Sequence, residues 1–121
     1  MKGKVDTMAR TVEKDFFSGS IRLHILHHAS CAPVFGAGLI EELQRHGYRI
    51  SPGTLYPILH GLERTGYLRS AQQLVHGKRR RSYVLTTMGK SALRLSRPRI
   101  AALLRELVEI GRSKQSAVTA R

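Results

Sequence analysis

Residues 49–68 read RISPGTLYPILHGLERTGYL, and how this stretch folds decides the architecture of the whole chain. Leu55, Ile58, Leu59 and Leu62 recur at helical spacing, which gives a helix one apolar face. Two prolines interrupt the same pattern. Ser51 is a good N-cap, and Pro52 suits the first helical position, where a missing N–H costs nothing. Ile50 and Leu55 then occupy the two positions of a hydrophobic staple. Pro57 is harder to place. With Ser51 as the cap it falls in the second turn, where proline removes a backbone hydrogen bond at a cost of up to about 3 kcal/mol. A regular helix that began at Thr54 would make Pro57 its third residue and remove most of that cost. Gly66, after Thr65, is the stop signal.

Upstream, GLIEELQRHG (38–47) reads as a short helix with Leu39, Ile40 and Leu43 inward and Gly47 as its end. A loop around Cys31 to Gly36, containing Pro33, precedes it. Before that, Phe17, Ile21, Ile25 and Ala29 at four-residue steps mark another helix, weakened by Gly19. Residues 1–15 are polar and charged, and a mobile arm is expected there. Downstream, YLRSAQQLV (67–75) and SYVLT (82–86) are strand-like, and HGKRRR (76–81) between them reads as a basic turn. A last helix is expected from Thr86 or Thr87, interrupted near Pro98, with a disordered tail over 113–121. Two short helices joined by a tight turn and followed by a basic hairpin describe a winged helix-turn-helix, mainly α. The expected division is a DNA-binding domain over 16–87 and a C-terminal dimerisation helix over 88–112.

Charge indicates the partner. The 121 residues contain 21 Lys and Arg against 8 Asp and Glu, a formal net charge of +13. From Arg64 to Arg105 there are eleven cations and no acidic residue. A sustained positive field of this kind attracts polyanions and makes binding strongly salt-dependent. The single cysteine, Cys31, excludes an internal disulfide and fits a reducing compartment. The longest apolar-plus-glycine run, VFGAGLI, is far shorter than the roughly 20 residues of a membrane span. A cytoplasmic, nucleoid-associated protein with no membrane partner is expected. The carboxylates are scattered and no nucleophile motif or phosphate-cradling loop is present, so neither an enzyme nor a cofactor is expected.

On the helix of the opening stretch, the face opposite the leucines offers Gly53, Thr54, Tyr56, Pro57, His60 and Arg64. Small and polar groups at a helix start let the backbone approach phosphates closely, and the helix N-terminus itself favours an anion. Thr54 can bond a phosphate or touch a thymine methyl, and Tyr56 can reach phosphate or a base edge. Lys78, Arg79, Arg80 and Arg81 would set their cations against phosphate, with Tyr83 either beside them or packed into the hairpin.

Together these residues carry a resemblance. Ser51-Pro52-Gly53-Thr54-Leu55-Tyr56-Pro57, then Leu59-His60-Gly61-Leu62-Glu63, Gly66, Lys78 to Arg81, Tyr83 to Thr86 and Gly89 are similar to the PadR family of bacterial transcriptional regulators. The likeness spans about residues 16–95. It implies a winged-helix homodimer on a palindromic operator, acting as a repressor that a small-molecule effector releases. It also implies that Thr54 and Tyr56 contact DNA and that Lys78 to Arg81 form the wing. Where many relatives have a lysine near position 60 this chain has His60, and its last helix is short and contains Pro98.

Two further clusters stand outside that pattern. Ile100, Leu103, Leu104, Leu107 and Val108 make an apolar stripe on the last helix, expected to be a dimer seam shared with Phe17 and Ile21 of the first. His24, His27 and His28 share a helix face, with Cys31 beyond, and such ligands can hold zinc or copper. Rival readings follow from these features: a metal-responsive regulator, a non-specific nucleic-acid-binding protein driven by charge, or a protein-interaction module that no longer reads DNA.

Overall fold

The computed structural model describes the chain from residue 2 to residue 119. In chain order its elements are α1 (Lys2–Cys31), β1 (Val34–Phe35), α2 (Gly36–Arg45), α3 (Pro52–Arg64), β2 (Leu68–Val75), β3 (Lys78–Leu85) and α4 (Thr87–Thr119). The three strands form one antiparallel sheet in the order β1-β3-β2.

The leucine face of the opening stretch builds the centre of the core. Leu55, Leu59 and Leu62 of α3 are buried against Ile21, Ile25, Leu26 and Ala29 of α1 and Leu39 and Leu43 of α2. Leu68, Tyr83, Leu85 and Leu93 close the same cluster from the sheet and the start of α4. Each fully buried aliphatic side chain contributes about 1.5–3 kcal/mol, so this single cluster supplies most of the driving force. Ile21 is 1% exposed. It therefore belongs to the core and not to a dimer seam, correcting the expectation for that residue.

Both short helices end as the glycines foretold. Gly47 and Gly66 take φ of 88° and 89°, conformations that only glycine adopts without strain. Tyr48 N–H donates to the Leu43 carbonyl and Tyr67 N–H to the Leu62 carbonyl, each at the sixth-to-first spacing of a Schellman cap. Thr86 then joins two helix ends. Its hydroxyl donates to the Gly66 carbonyl at 2.5 Å and accepts the Gly89 N–H at 3.0 Å.

Of the two starts open to the helix of the opening stretch, the structure takes the one with Ser51 as cap and Pro52 first, so Pro57 lies well inside it. Other expectations are corrected. The turn of the hairpin is only His76-Gly77, both at positive φ (52° and 77°), because the strands pair as far as Val75 with Lys78. A two-residue turn of this hand matches the twist of the flanking strands, and it places Lys78 to Arg81 on β3 and not in the loop. Residues 2–15 are helical and continue α1 over the stretch read as a mobile arm. The hydroxyls of Thr7 and Thr11 there bond back to the carbonyls of Gly3 and Thr7.

Finally, α4 runs unbroken through Pro98 as far as Thr119, overriding both the expected interruption and most of the expected tail. Pro98 cannot donate to the carbonyl of Arg94, but both residues are exposed, so water can serve that carbonyl. Residues 120 and 121 of the expected tail lie outside the described residues. β1 was not expected at all, because a two-residue strand carries no periodicity. It exists through pairing of Val34 with Tyr83 and Phe35 with Ser82. No described helix is long and apolar enough to cross a membrane.

Candidate nucleic-acid interface

α3 presents its polar side to solvent. Ser51, Pro52, Gly53, Thr54, Tyr56, Pro57, His60 and Arg64 are all exposed, while Leu55 and Leu59 on the other side are fully buried. Ser51 is the N-cap residue by backbone conformation (φ −98°, ψ 162°), and its carbonyl accepts from Leu55 N–H at 2.9 Å. Its side chain makes no capping hydrogen bond and instead faces the Thr54 hydroxyl at 3.4 Å. The first turn of α3 thus has no side-chain cap over its N–H groups, which leaves the helix terminus open to an anion. Pro57 withholds one further bond, since the exposed Gly53 carbonyl receives no helical donor from it. Both breaks in helix chemistry fall on the outward face, where a ligand or water can satisfy what is left.

The side chains on this face are held by the junction between β1 and α2. Tyr56 is 39% exposed and lies across Gly36, where a Cβ would come within 2.4 Å of its hydroxyl oxygen. Gly36 is buried, so the tyrosine ring rests directly on backbone. The His60 ring is 6.4 Å from the Tyr56 ring. One residue away, the Arg80 guanidinium sits 5.5 Å above the ring of Phe35, close enough for cation–π attraction. Phe35 and Gly36 therefore form a common floor between the exposed face of α3 and the cations of β3.

Strand alternation divides those cations. Lys78 and Arg80 point to one face of the hairpin, and Arg79 and Arg81 to the other. Arg81 shares its face with Tyr83, which is completely buried. Burial pushes the Tyr83 phenol above its ordinary pKa, against the pull of the Arg81 cation beside it. Tyr83 cannot meet DNA from that position, so its place among the contacting residues is withdrawn. Leu85, two residues on and on the same side of the pleat, is core, and the aromatic ring follows it.

Glu63 connects helix to hairpin, a role that spacing alone did not reveal. Its carboxylate accepts the Ser70 N–H at 2.9 Å and the Ser70 hydroxyl as well. The hydroxyl bond, helped by the backbone bond and the nearby Arg81 and His60, holds the Glu63 carboxyl below the usual range despite some desolvation. This carboxylate thus ties the end of α3 to β2.

Of the expected dimer residues, Phe17 packs its ring 5.1 Å from that of Tyr48, while Leu103, Leu104, Leu107 and Val108 are about half exposed on α4. On α1, Met8, Val12 and Phe16 are exposed in the same way. Of the expected metal ligands, Cys31 is exposed and outside the group, His27 is exposed with its ring 5.5 Å from that of His28 but brings no nitrogen into the group, and His24 and His28 meet at one place.

Comparison with known proteins gives this arrangement a lineage. A model of the PadR-like family of transcriptional regulators matches residues 25–95, more than half of the chain. The transcriptional regulator Rv3488 of Mycobacterium tuberculosis is 50% identical over 95 residues, covering 78% of this chain and 89% of that one. A PadR family transcriptional regulator from Eggerthella lenta superposes with a TM-score of 0.70 at 25% identity, over 88% of this chain and 95% of the other. The Streptococcus mutans protein smu.1704 superposes with a TM-score of 0.67 at 30% identity, over 74% and 86%. With its exposed helix, its cationic wing and these likenesses, the chain belongs to the PadR-like family of winged-helix transcriptional regulators.

Proposed function

We propose that this regulator is a homodimeric repressor that reads a palindromic operator, with α3 in the major groove and Lys78 to Arg81 against the flanking phosphates. The observation that carries the reading is the exposed face of α3, side by side with the wing across Phe35 and Gly36. Thr54 and Tyr56 supply sequence readout there, and Ser51, Pro52, Gly53, Pro57, His60 and Arg64 complete the contact surface. The unit from residue 16 to 87 binds DNA, and α4, over 88–112, dimerises through Ile100, Leu103, Leu104, Leu107 and Val108 with Phe17 at the edge. Half-exposed leucines recurring along a helix that outruns its own core support that seam. A two-fold dimer sets two copies of α3 about one helical turn of DNA apart. Release by a small-molecule effector belongs to the same reading, as does a cytoplasmic, nucleoid-associated location.

The test begins by selecting bound duplexes from random-sequence DNA. The selected duplex and a scrambled one are then compared by fluorescence anisotropy at 50 and 200 mM salt. Specific readout predicts a preference of about a thousandfold at the higher salt, lost on Thr54→Ala with Tyr56→Ala. Equal affinity for both duplexes, collapsing with salt, would leave charge alone as the binding force and sink the proposal. Sedimentation of the wild-type chain and of Leu103→Asp with Leu107→Asp tests the seam: a dimer should become a monomer.

A further inference from the structure

Where α1 passes the C-terminal end of α2, three imidazoles converge. His24 and His28 stand one turn apart on α1, a spacing that places both on one helix face. His46, the C-cap residue of α2, completes the group, its backbone anchored by N–H bonds to the carbonyls of Glu42 and Leu43. The His24 ring lies 4.7 Å from that of His46, and the His28 ring is 6.3 Å from His24 and 6.0 Å from His46. One ring nitrogen from each of the three falls within 4.8 Å of the others.

Two observations separate this cluster from ordinary packing. The Nε2 atom of His28 is buried and has no hydrogen-bond partner, a rare state for a buried polar atom in a folded protein. In addition, burial first and then the neighbouring His46, His28 and His27 hold the His24 imidazole below its ordinary pKa. A neutral imidazole is the form that binds a metal. Among the described residues, the group of converging ligand atoms contains no carboxylate.

We propose that His24, His28 and His46 form a three-imidazole site for a divalent transition-metal ion of the zinc, cobalt, nickel or copper class, joining α1 to the end of α2. An all-nitrogen set suits those ions and not magnesium or calcium, which take oxygen ligands. Metal–nitrogen bonds of about 2.0–2.1 Å put tetrahedral ligands about 3.3 Å apart. The present spacing reaches that by small side-chain rotations, easiest for the exposed His46 ring. Water would fill the fourth position. The site stands independently of how the protein reads DNA, and an ion there braces the first helix against the helix-turn-helix.

The experiment uses the untagged full-length protein in a buffer that does not chelate metals. Cobalt is titrated and its visible absorption read, zinc is titrated by calorimetry, and the melting temperature is measured with and without zinc. One equivalent should bind, with visible cobalt bands and a higher melting temperature. His46→Ala removes an exposed ring, so the fold should persist, as circular dichroism can verify. That variant should lose more affinity than the roughly 10- to 100-fold that follows loss of a mere outer-shell partner. His27→Ala and Cys31→Ser, which alter exposed residues outside the cluster, should leave binding intact. Absence of one-equivalent binding by the wild-type chain would overturn the proposal. So would His46→Ala binding as the wild type does, or a loss with His27→Ala or Cys31→Ser equal to that with His46→Ala.

Discussion

Adding a single methyl group at Gly36 should weaken DNA binding without unfolding the protein. A Cβ at this position would lie 2.4 Å from the Tyr56 hydroxyl oxygen, 2.8 Å from Cζ and 3.0 Å from Cε1. All three atoms belong to the outer half of a side chain that is 39% exposed, so the ring can swing into solvent. Gly36 opens α2 in a helical conformation, where alanine is itself favourable by about 0.4–1 kcal/mol through the unfolded state. Stability should therefore change by less than about 1 kcal/mol, while Tyr56 leaves its seat. If that ring makes one base or phosphate contact, its loss is worth about 1–3 kcal/mol, or roughly 5- to 150-fold in affinity. Tyr56→Ala should cost the same, and Gly36→Ala should add nothing further in the Tyr56→Ala background. Fluorescence anisotropy on the selected duplex, with urea denaturation of each variant, completes the cycle. Wild-type affinity in Gly36→Ala beside a weakened Tyr56→Ala would refute the idea that Gly36 seats the tyrosine. Additive losses in the double variant would refute it too.

Further outcomes follow from the wing and the helix ends. Lys78→Ala should lower the slope of log affinity against log salt by about 0.9 if it neutralises one phosphate, and the same measurement applies to Arg80→Ala. An unchanged slope would remove that cation from the interface. Glu63→Gln should destabilise the fold by about 1 kcal/mol, a charged hydrogen bond discounted for its solvent exposure. Because the folded state depresses the Glu63 pKa below 4.5, that difference should be complete above pH 4.5 and fade as the pH falls through the lower folded value. Urea denaturation of both proteins between pH 3 and 7 reads it directly, and a difference that grew on acidification would contradict the sign. Gly89→Ala sets helix propensity against packing. Propensity alone favours alanine by about 1 kcal/mol. The new Cβ, however, would lie 2.3 Å from the Tyr67 carbonyl oxygen, which is backbone and cannot swing away. A net loss of about 2–3 kcal/mol in urea denaturation is expected, and a gain would show that the helix start can shift.

Much of this molecule was legible because its signals are local. Gly47 and Gly66 end their helices through their own backbone freedom, and the leucine spacing of α3 declares its buried face. The exposed row from Ser51 to Arg64 follows from the same periodicity. Signals failed where a residue's surroundings come from elsewhere in the chain. Tyr83 reads equally well as a contact or as packing until β1 is seen to cover its strand. Ile21 shares a helix face with Phe17, yet the core reaches the first and not the second. The basic stretch from Lys78 to Arg81 looked like a loop because nothing in four cations specifies a strand; the two-residue turn at His76-Gly77 does so by letting the pairing continue.

The sequence by itself determined the element types of the central domain, the polar face of α3, and the strong positive charge of the chain. These depend on spacing and backbone chemistry within one or two turns. Only the tertiary structure decided that Gly36 seats Tyr56, that Glu63 fastens the wing through Ser70, and that His46 joins His24 and His28. Each of these pairs residues from different elements, and such contacts exist only after the apolar core has fixed the positions of the helices. No periodicity records them, because the distance that matters is through space and not along the chain.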